Sequence, residues 1–300
     1  MHSSRELDMA EILRSPGIPA ETVPRPVALP ASARPSRWWS VRAAIPARAR
    51  ALLALAGLVL PLALWWAGTA GRAGDAADAV FLPSPAQVWS RLADWWQAGD
   101  LAGDMRVSVG RVLGGFLLSA ALALPLGLMI GSFRVVQALL EPLTDFIRYM
   151  PAVAFIPLVM LWVGIEESSK VAIIFIGTFF QMVLMVAEDV RRVPLAQIEA
   201  AQTLGATRTE LIEKVIFPSA APALLDTMRV TMGWAWTYLV VAELVAANSG
   251  LGYAILKAQR FLQTDKIFAG ILLIGLIGLL TDQLFRWAHR RAFPWLHLKG

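Results

Sequence analysis

Cysteine is absent from the 300 residues, and histidine occurs only at His2, His289 and His297, all close to the termini. These absences exclude a disulfide scaffold, a thiol enzyme and a Cys-ligated metal site, and they leave little imidazole for catalysis or metal binding. Charge is sparse too: 16% of residues are charged and 57% hydrophobic, against about 25% and about 45 to 50% in an ordinary soluble domain. A soluble globule does not fit. The five lysines follow Ser169, Glu213, Leu256, Asp265 and Leu298, so the Gly-Lys pair of a phosphate-binding loop never occurs. With no His, Cys or paired-carboxylate cluster in an apolar stretch either, the chain does not read as an enzyme.

What is present is a set of long uncharged intervals. Six matter: 51–71, 112–133, 149–165, 171–187, 230–242 and 267–281. A helix crossing the hydrocarbon core needs about 20 mainly apolar residues, with a working range of about 17 to 25. The first two intervals qualify outright and the next two sit at the lower limit. The last two reach it if Arg229, Glu243 and Asp282 lie near interfaces. Six spans are therefore expected, the fifth being the weakest.

The net charge of +5 suits a nucleic-acid binder or a membrane protein with basic loops on one side, and position decides between them. With the N-terminus in the cytoplasm, 19 of the 27 basic residues fall in inner segments and 8 in outer ones. Both termini are therefore expected inside, with a lipid bilayer and no nucleic acid as partner. Residues 1–50 hold seven of the eighteen prolines and eight arginines, which reads as a disordered or loosely attached basic cytosolic tail ahead of a transmembrane domain over 51–300. No short apolar core follows a basic start, so no signal peptide is expected.

Between the first two spans, Ser84-Pro85 supplies a cap and a first-turn proline. Val88, Trp89, Leu92, Trp95 and Trp96 then fall near one helical face, as in a helix lying in the outer interface or packed on the bundle. In spans two and three, Pro125, Gly127, Gly131, Pro151, Pro157 and Gly164 interrupt helical hydrogen bonds or allow close backbone approach.

The polar interval 191–225 is the most informative. Pro194 can open a helix placing Leu195, Ile198 and Leu204 near one face, and Gly205 can end it in the left-handed conformation. Thr207 and Glu210 then form a capping box for a second helix, whose apolar set is Leu211, Ile212, Val215 and Ile216 and which Pro218 closes. Ala200, Ala201 and Ala206 keep the junction slim. An ordered loop of this length between spans calls for a partner or a function.

Glu199-Ala200-Ala201, three residues, Gly205, nine residues, Val215, one residue, Phe217 and Pro218 resemble the EAA signature of ABC importer permeases. Val for Ile and Phe for Leu keep its apolar character. The resemblance runs from about residue 82 to 296. It includes LPSPAQVW, SVGRVLGGF, MPAVAFIPLVMLWVGIEESSK, VAELVAANSGLGY and FLQTDKIF, which look like the branch serving nitrate, taurine and aliphatic sulfonates.

That resemblance implies an all-α polytopic membrane protein of type I importer architecture, with six transmembrane helices and both termini in the bacterial cytoplasm. Residues 191–218, including Arg208, would couple the spans to a separate ATP-binding subunit, present in two copies. The other implied partners are a second permease copy and an extracytoplasmic solute-binding protein. ATP and Mg would be held by the ATP-binding subunit, and no cofactor or metal by this chain. The solute expected is a small oxyanion, a sulfonate or taurine first and nitrate next.

Three candidate positions remain for the translocation pathway. Arg111 near the outer end of span two can attract an anion or extend to the headgroups, and the second is favoured. Glu243 in span five can serve an outer gate or pair with a neighbouring helix, and pairing is favoured. Asn248, in Asn248-Ser249-Gly250-Leu251-Gly252, lies on an outer loop suited to a solute-delivering protein. The rival reading, an ion-coupled secondary transporter, would need an acidic site at the bilayer midplane, and no carboxylate lies centrally in these spans.

Overall fold

Small residues recur at every fourth position of the second apolar interval: Gly115, Ser119, Ala123, Gly127 and Gly131. On an α-helix that spacing makes one slim face, along which a neighbour can approach closely. The computed structural model, which describes residues 45–70 and 81–296, shows that approach. Helix α3 (Asp100–Ser132) lies parallel to α6 (Glu167–Arg191). A Cβ at Gly127 would lie 2.5 Å from Val186 Cγ1 and 2.7 Å from the Val183 carbonyl oxygen, and one at Gly131 would lie 2.6 Å from Val190 Cβ. About two turns before Gly127, Ser119 and Thr178 share a 2.6 Å hydrogen bond.

Two parallel neighbours joined in sequence require the connection to return along their length. It does so as a broken pair: α4 (Arg134–Arg148), a 3-10 turn at Ala152–Phe155, and α5 (Ile156–Val163), with 87° between the two helical parts. The return is antiparallel along α6. Glu141 meets Arg191 at 3.2 Å, whereas Ile156 and Val159 share a buried cluster with Ile173. The single third span expected over 149–165 is therefore corrected, since α5 has eight residues and rises only about 12 Å. Pro151 prevents continuation of α4, Pro157 fits the first turn of α5, and Gly164 at φ +87° ends it.

The remaining helices are α1 (Ala47–Ala70), α2 (Pro85–Gln97), α7 (Leu195–Thr203), α8 (Arg208–Glu210), α9 (Phe217–Ala246), α10 (Leu251–Arg260) and α11 (Thr264–Ala292). Helix α9 runs antiparallel to α6, with Thr227 donating to Asp189 at 2.6 Å near one end and Ala242 beside Ile173 near the other. Helix α11 is antiparallel to α9, joined by Arg229 to Asp282 at 2.6 Å and by Asp226 facing His289. Asp282 also receives Arg286 at 2.7 Å, so it is a crosslink between helices, lying within α11 and not at its end.

Among the described residues four helices, α1, α3, α6 and α11, are long and apolar enough to span a membrane, and the bent pair counted as one span makes five. Helix α9, the weakest expected span, has 30 residues, about 45 Å of rise, but its hydropathy is lowered by Arg229, Glu243 and inward-facing threonines. Among the described residues, those up to Leu60 and those from Pro61 onward fall into two separate units. The first 44 residues of the expected tail lie outside the described residues, and α1 begins at Ala47, four residues before the expected boundary.

Ser84 and Gln87 form a full capping box at the start of α2. The expected aromatic face divides. Val88 and Trp95 turn inward, Lys266 sits 4.7 Å over the Trp95 ring and Arg91 bonds Asp265 at 2.8 Å, while Trp89 and Trp96 face outward. The helix is thus packed on the bundle by one edge only.

Gly127→Leu should force α3 and α6 apart at a cost of about 1 to 3 kcal/mol. Gly110→Leu, where a Cβ meets nothing within 4 Å, should leave the detergent-purified protein's unfolding midpoint almost unchanged. Equal midpoints for both variants would refute the packing argument.

Candidate functional site

The segment between α6 and α9 is built from two local devices. Helix α7 ends in a Schellman motif: the Gly205 N–H donates to the Gln202 carbonyl at 2.9 Å and the Ala206 N–H to the Ala201 carbonyl at 3.0 Å, with Gly205 at φ +84°. Two residues later the Thr207 hydroxyl accepts from the Glu210 N–H while Glu210 Oε2 accepts from the Thr207 N–H at 3.0 Å. One helix therefore closes and the next opens within three residues. Glu210 is held down to about 2, first by the Lys214 ammonium at 2.9 Å and then by the Thr207 N–H and hydroxyl. The cap is thus ionised throughout the neutral range.

Two details differ from expectation. Ile198 packs against the core, but Leu195 and Leu204 point to the exterior, Leu204 at 89% exposure, so the three do not share an inward face. Pro218 does not close the second helix. The turn Arg208–Glu210 passes through a π-helical segment, Leu211–Ile216, directly into α9, with Pro218 in that helix's first turn. The change of hydrogen-bond register places proline where its missing N–H is tolerated. The backbone from Arg208 to Ala246 is consequently one helical rod. Leu211 and Ile216 are buried beneath it and Val215 is half-buried. Glu199, Ala200, Thr207, Arg208 and Pro218 are exposed, while Ala201 and Ala206 are half-covered.

At the opposite end of the bundle the structure brings Arg111 and Glu243 into direct contact. Arg111 Nε and Nη2 hold both oxygens of Glu167 at 2.6 Å, and Nη1 donates to Glu243 Oε1 and to the Ser249 carbonyl, each at 2.7 Å. Glu243 also receives the Ser108 hydroxyl at 2.7 Å and the Gly252 N–H at 2.6 Å. Asp104 and Ser108 accept the Gly250 and Leu251 N–H groups, each at 2.9 Å. Arg111 has 3% exposure and Glu243 none, so the expected extension of Arg111 to the headgroups is corrected: three acceptors within the protein take its donors. Asn248 lies exposed beside this knot.

Glu167 was not singled out from sequence, because 56 residues separate it from Arg111. The Asp104, Ser108, Arg111 spacing on one helical face was the available signal.

Several helices of this length and apolarity, packed side by side, define a multi-pass membrane protein. The family of binding-protein-dependent transport system inner membrane components matches residues 123–294, and the chain belongs to that family. A probable ABC transporter permease of Brucella melitensis is 40% identical over 220 residues, 73% of this chain and 89% of that protein. A putative aliphatic sulfonate transport permease of Bacillus subtilis is 36% identical over 80% of this chain and 87% of its own length. For the taurine transport permease of Escherichia coli the values are 31%, 83% and 92%.

The crystal structure of an amino acid ABC transporter shares the fold, with a TM-score of 0.57 at 14% identity, over 67% of this chain and 97% of that one. The chain is thus a permease subunit of an ATP-driven importer in the inner membrane, and such subunits are not themselves enzymes. The family implies an ATP-binding subunit and a substrate-binding protein as partners.

Removing Arg111 leaves a buried, unpaired carboxylate. Arg111→Met should cost about 3 to 5 kcal/mol, read as a lowered thermal midpoint in detergent. The double variant Arg111→Met, Glu243→Met should recover part of that loss. A double variant no more stable than the single one would show that the charge pairing is not what holds this end together.

Proposed function

We propose that the protein imports a small oxyanion, an organic sulfonate or taurine first and nitrate second, as a homodimeric permease with two ATP-binding subunits and an extracytoplasmic binding protein. Each chain crosses the membrane six times, counting α1, the broken pair and α9, with both termini in the cytoplasm. The excess of basic residues in the segments on that side supports the orientation. ATP and Mg reside on the partner subunit, since this chain carries no phosphate-binding loop.

The observation that carries the coupling role is the continuity of the helical rod from Arg208 to Ala246. A subunit gripping Glu199 to Arg208 from outside would move the end of a rod whose far end carries Glu243. The backbone stays helical between the two, through the π-helical turn and past Pro222. Ala200, Ala201 and Ala206 allow close approach, while Leu204 offers an exposed apolar anchor beside them. The reading of an ion-coupled carrier finds less support, because Glu243 is engaged by Arg111, Ser108 and Gly252 instead of being available to a proton or sodium ion.

Gly205→Val places a β-branched side chain at φ +84°, a strain of about 1 to 3 kcal/mol. Combined with Glu199→Lys it should abolish copurification of the ATP-binding subunit and uptake together, with membrane insertion retained. Normal uptake by the double variant would reject the coupling role of this segment.

Cells lacking the gene should grow poorly on taurine or an alkanesulfonate as sole sulfur source, or on nitrate as sole nitrogen source. Unimpaired growth on all three, with a defect on an uncharged or cationic nutrient, would reject the oxyanion assignment and leave the importer standing.

A further inference from the structure

The break in the third crossing does more than shorten α5. It places Arg148, the last residue of α4, at mid-bundle opposite Gln181, which sits near the middle of α6. Two cavities meet at this pair. One, of about 330 Å³, is lined by Met150, Phe155, Phe180, Trp234 and Tyr238. The other, of about 410 Å³, leads toward the coupling segment past Glu141, Asp145, Glu188, Arg191 and Arg192. Arg148 and Gln181 line both. The Tyr238 ring forms part of the upper wall because Gly177 has no side chain, and a Cβ there would clash with the ring carbons Cγ, Cδ2 and Cε2.

The two junction side chains are not fully satisfied by protein. Arg148 Nε donates to Asp145 at 2.9 Å and Nη2 to the Tyr149 hydroxyl at 3.1 Å, with the guanidinium 4.6 Å over the Tyr149 ring. Nη1 has no partner among the described residues, nor does the Gln181 amide. This contrasts with Arg111, whose donor nitrogens are all engaged. A guanidinium edge and an amide N–H beside a polar constriction are the donors that a planar or tetrahedral oxyanion accepts from. Asp145 already offsets part of the Arg148 charge, so an anion held there is held weakly.

We propose that Arg148 and Gln181 form the transient contact for the solute's oxyanion group midway along the passage. The proposal rests on the oxyanion-import reading above and deepens it by naming the residues that touch the solute. Selection remains with the binding protein, and this pair carries the anion across the apolar middle of the bundle.

The test is uptake of radiolabelled taurine by the complete transporter, reconstituted in proteoliposomes with its ATP-binding subunit and binding protein. Arg148→Gln should reduce the maximal uptake rate about tenfold, the scale of one charge-assisted hydrogen bond, and Arg148→Lys should reduce it less. Gln181→Leu, which removes an amide without touching any ion pair, should also lower it. All three should still copurify with the ATP-binding subunit.

Wild-type rates for both Arg148→Gln and Gln181→Leu, alongside active uptake by the unaltered protein, would overturn this contact while sparing the oxyanion reading. Should Arg148→Gln fail to assemble, Gln181→Leu decides alone. If the unaltered protein carries an uncharged solute but neither sulfonate nor nitrate, the oxyanion reading falls and this contact with it.

Discussion

The close parallel packing of α3 on α6 is the constraint from which the rest of the architecture follows. Val186 and Val190 of α6 seat against Gly127 and Gly131, so the two backbones approach with side chains from α6 alone between them at these positions. In a bilayer, where apolar contact with lipid is nearly as favourable as contact with protein, such backbone proximity and its dispersion energy replace the hydrophobic effect as the source of helix association. Once α3 and α6 run the same way, the chain between them has to traverse the bundle. It does so along the opposite face of α6, and that leaves α9 as its neighbour across the groove.

The second consequence is mechanical. The traverse is interrupted at Tyr149–Pro151, whereas the backbone from Arg208 to Ala246 stays helical, its π-helical segment shifting the hydrogen-bond register ahead of Pro218. The two elements flank the same cavities. In the proposed coupling, movement of this helix against the interrupted traverse would change the shape of the groove between them, and the Arg111 knot at the far end would limit it. Glu167, Glu243 and the Ser249 carbonyl converge on one guanidinium, tying α6, α9 and the following loop to α3. With the coupling role proposed above, a tied end and a driven end would convert a push at the coupling segment into rotation of the helix.

Legibility in the sequence followed the range of the interactions. The Gly205 turn and the Thr207–Glu210 box were readable because every hydrogen bond in them closes within five residues, so residue type and spacing determine the geometry. The apolar runs of α3 and α6 were readable for the same reason. The partners of Arg111 were not, being 56 and 132 residues away. Pro151 signalled a disturbance in the third crossing, but whether proline kinks a helix or divides it depends on what packs around it. Pro142, within α4, and Pro125, within α3, leave their helices continuous. Pro218 misled for a related reason: a local breaker is tolerated where the register can shift, and the shift is set by Leu211 and Ile216 seating in the core below.

The two arginines of the bundle show how environment, not residue type, decides a role. Arg111 is surrounded by two carboxylates and a backbone carbonyl, so its charge is spent and its position fixed. Exchanging any of those partners for a passing anion would strand a buried carboxylate, a cost far above the gain from one new hydrogen bond. Arg148 has one carboxylate beside it, an aromatic face beneath it and a donor left over, and it lies at the junction of two cavities. An anion meeting Arg148 adds an acceptor without evicting one. A transport protein needs the first kind of arginine where it must stay closed and the second where its solute must pass. The broken third crossing is what separates them.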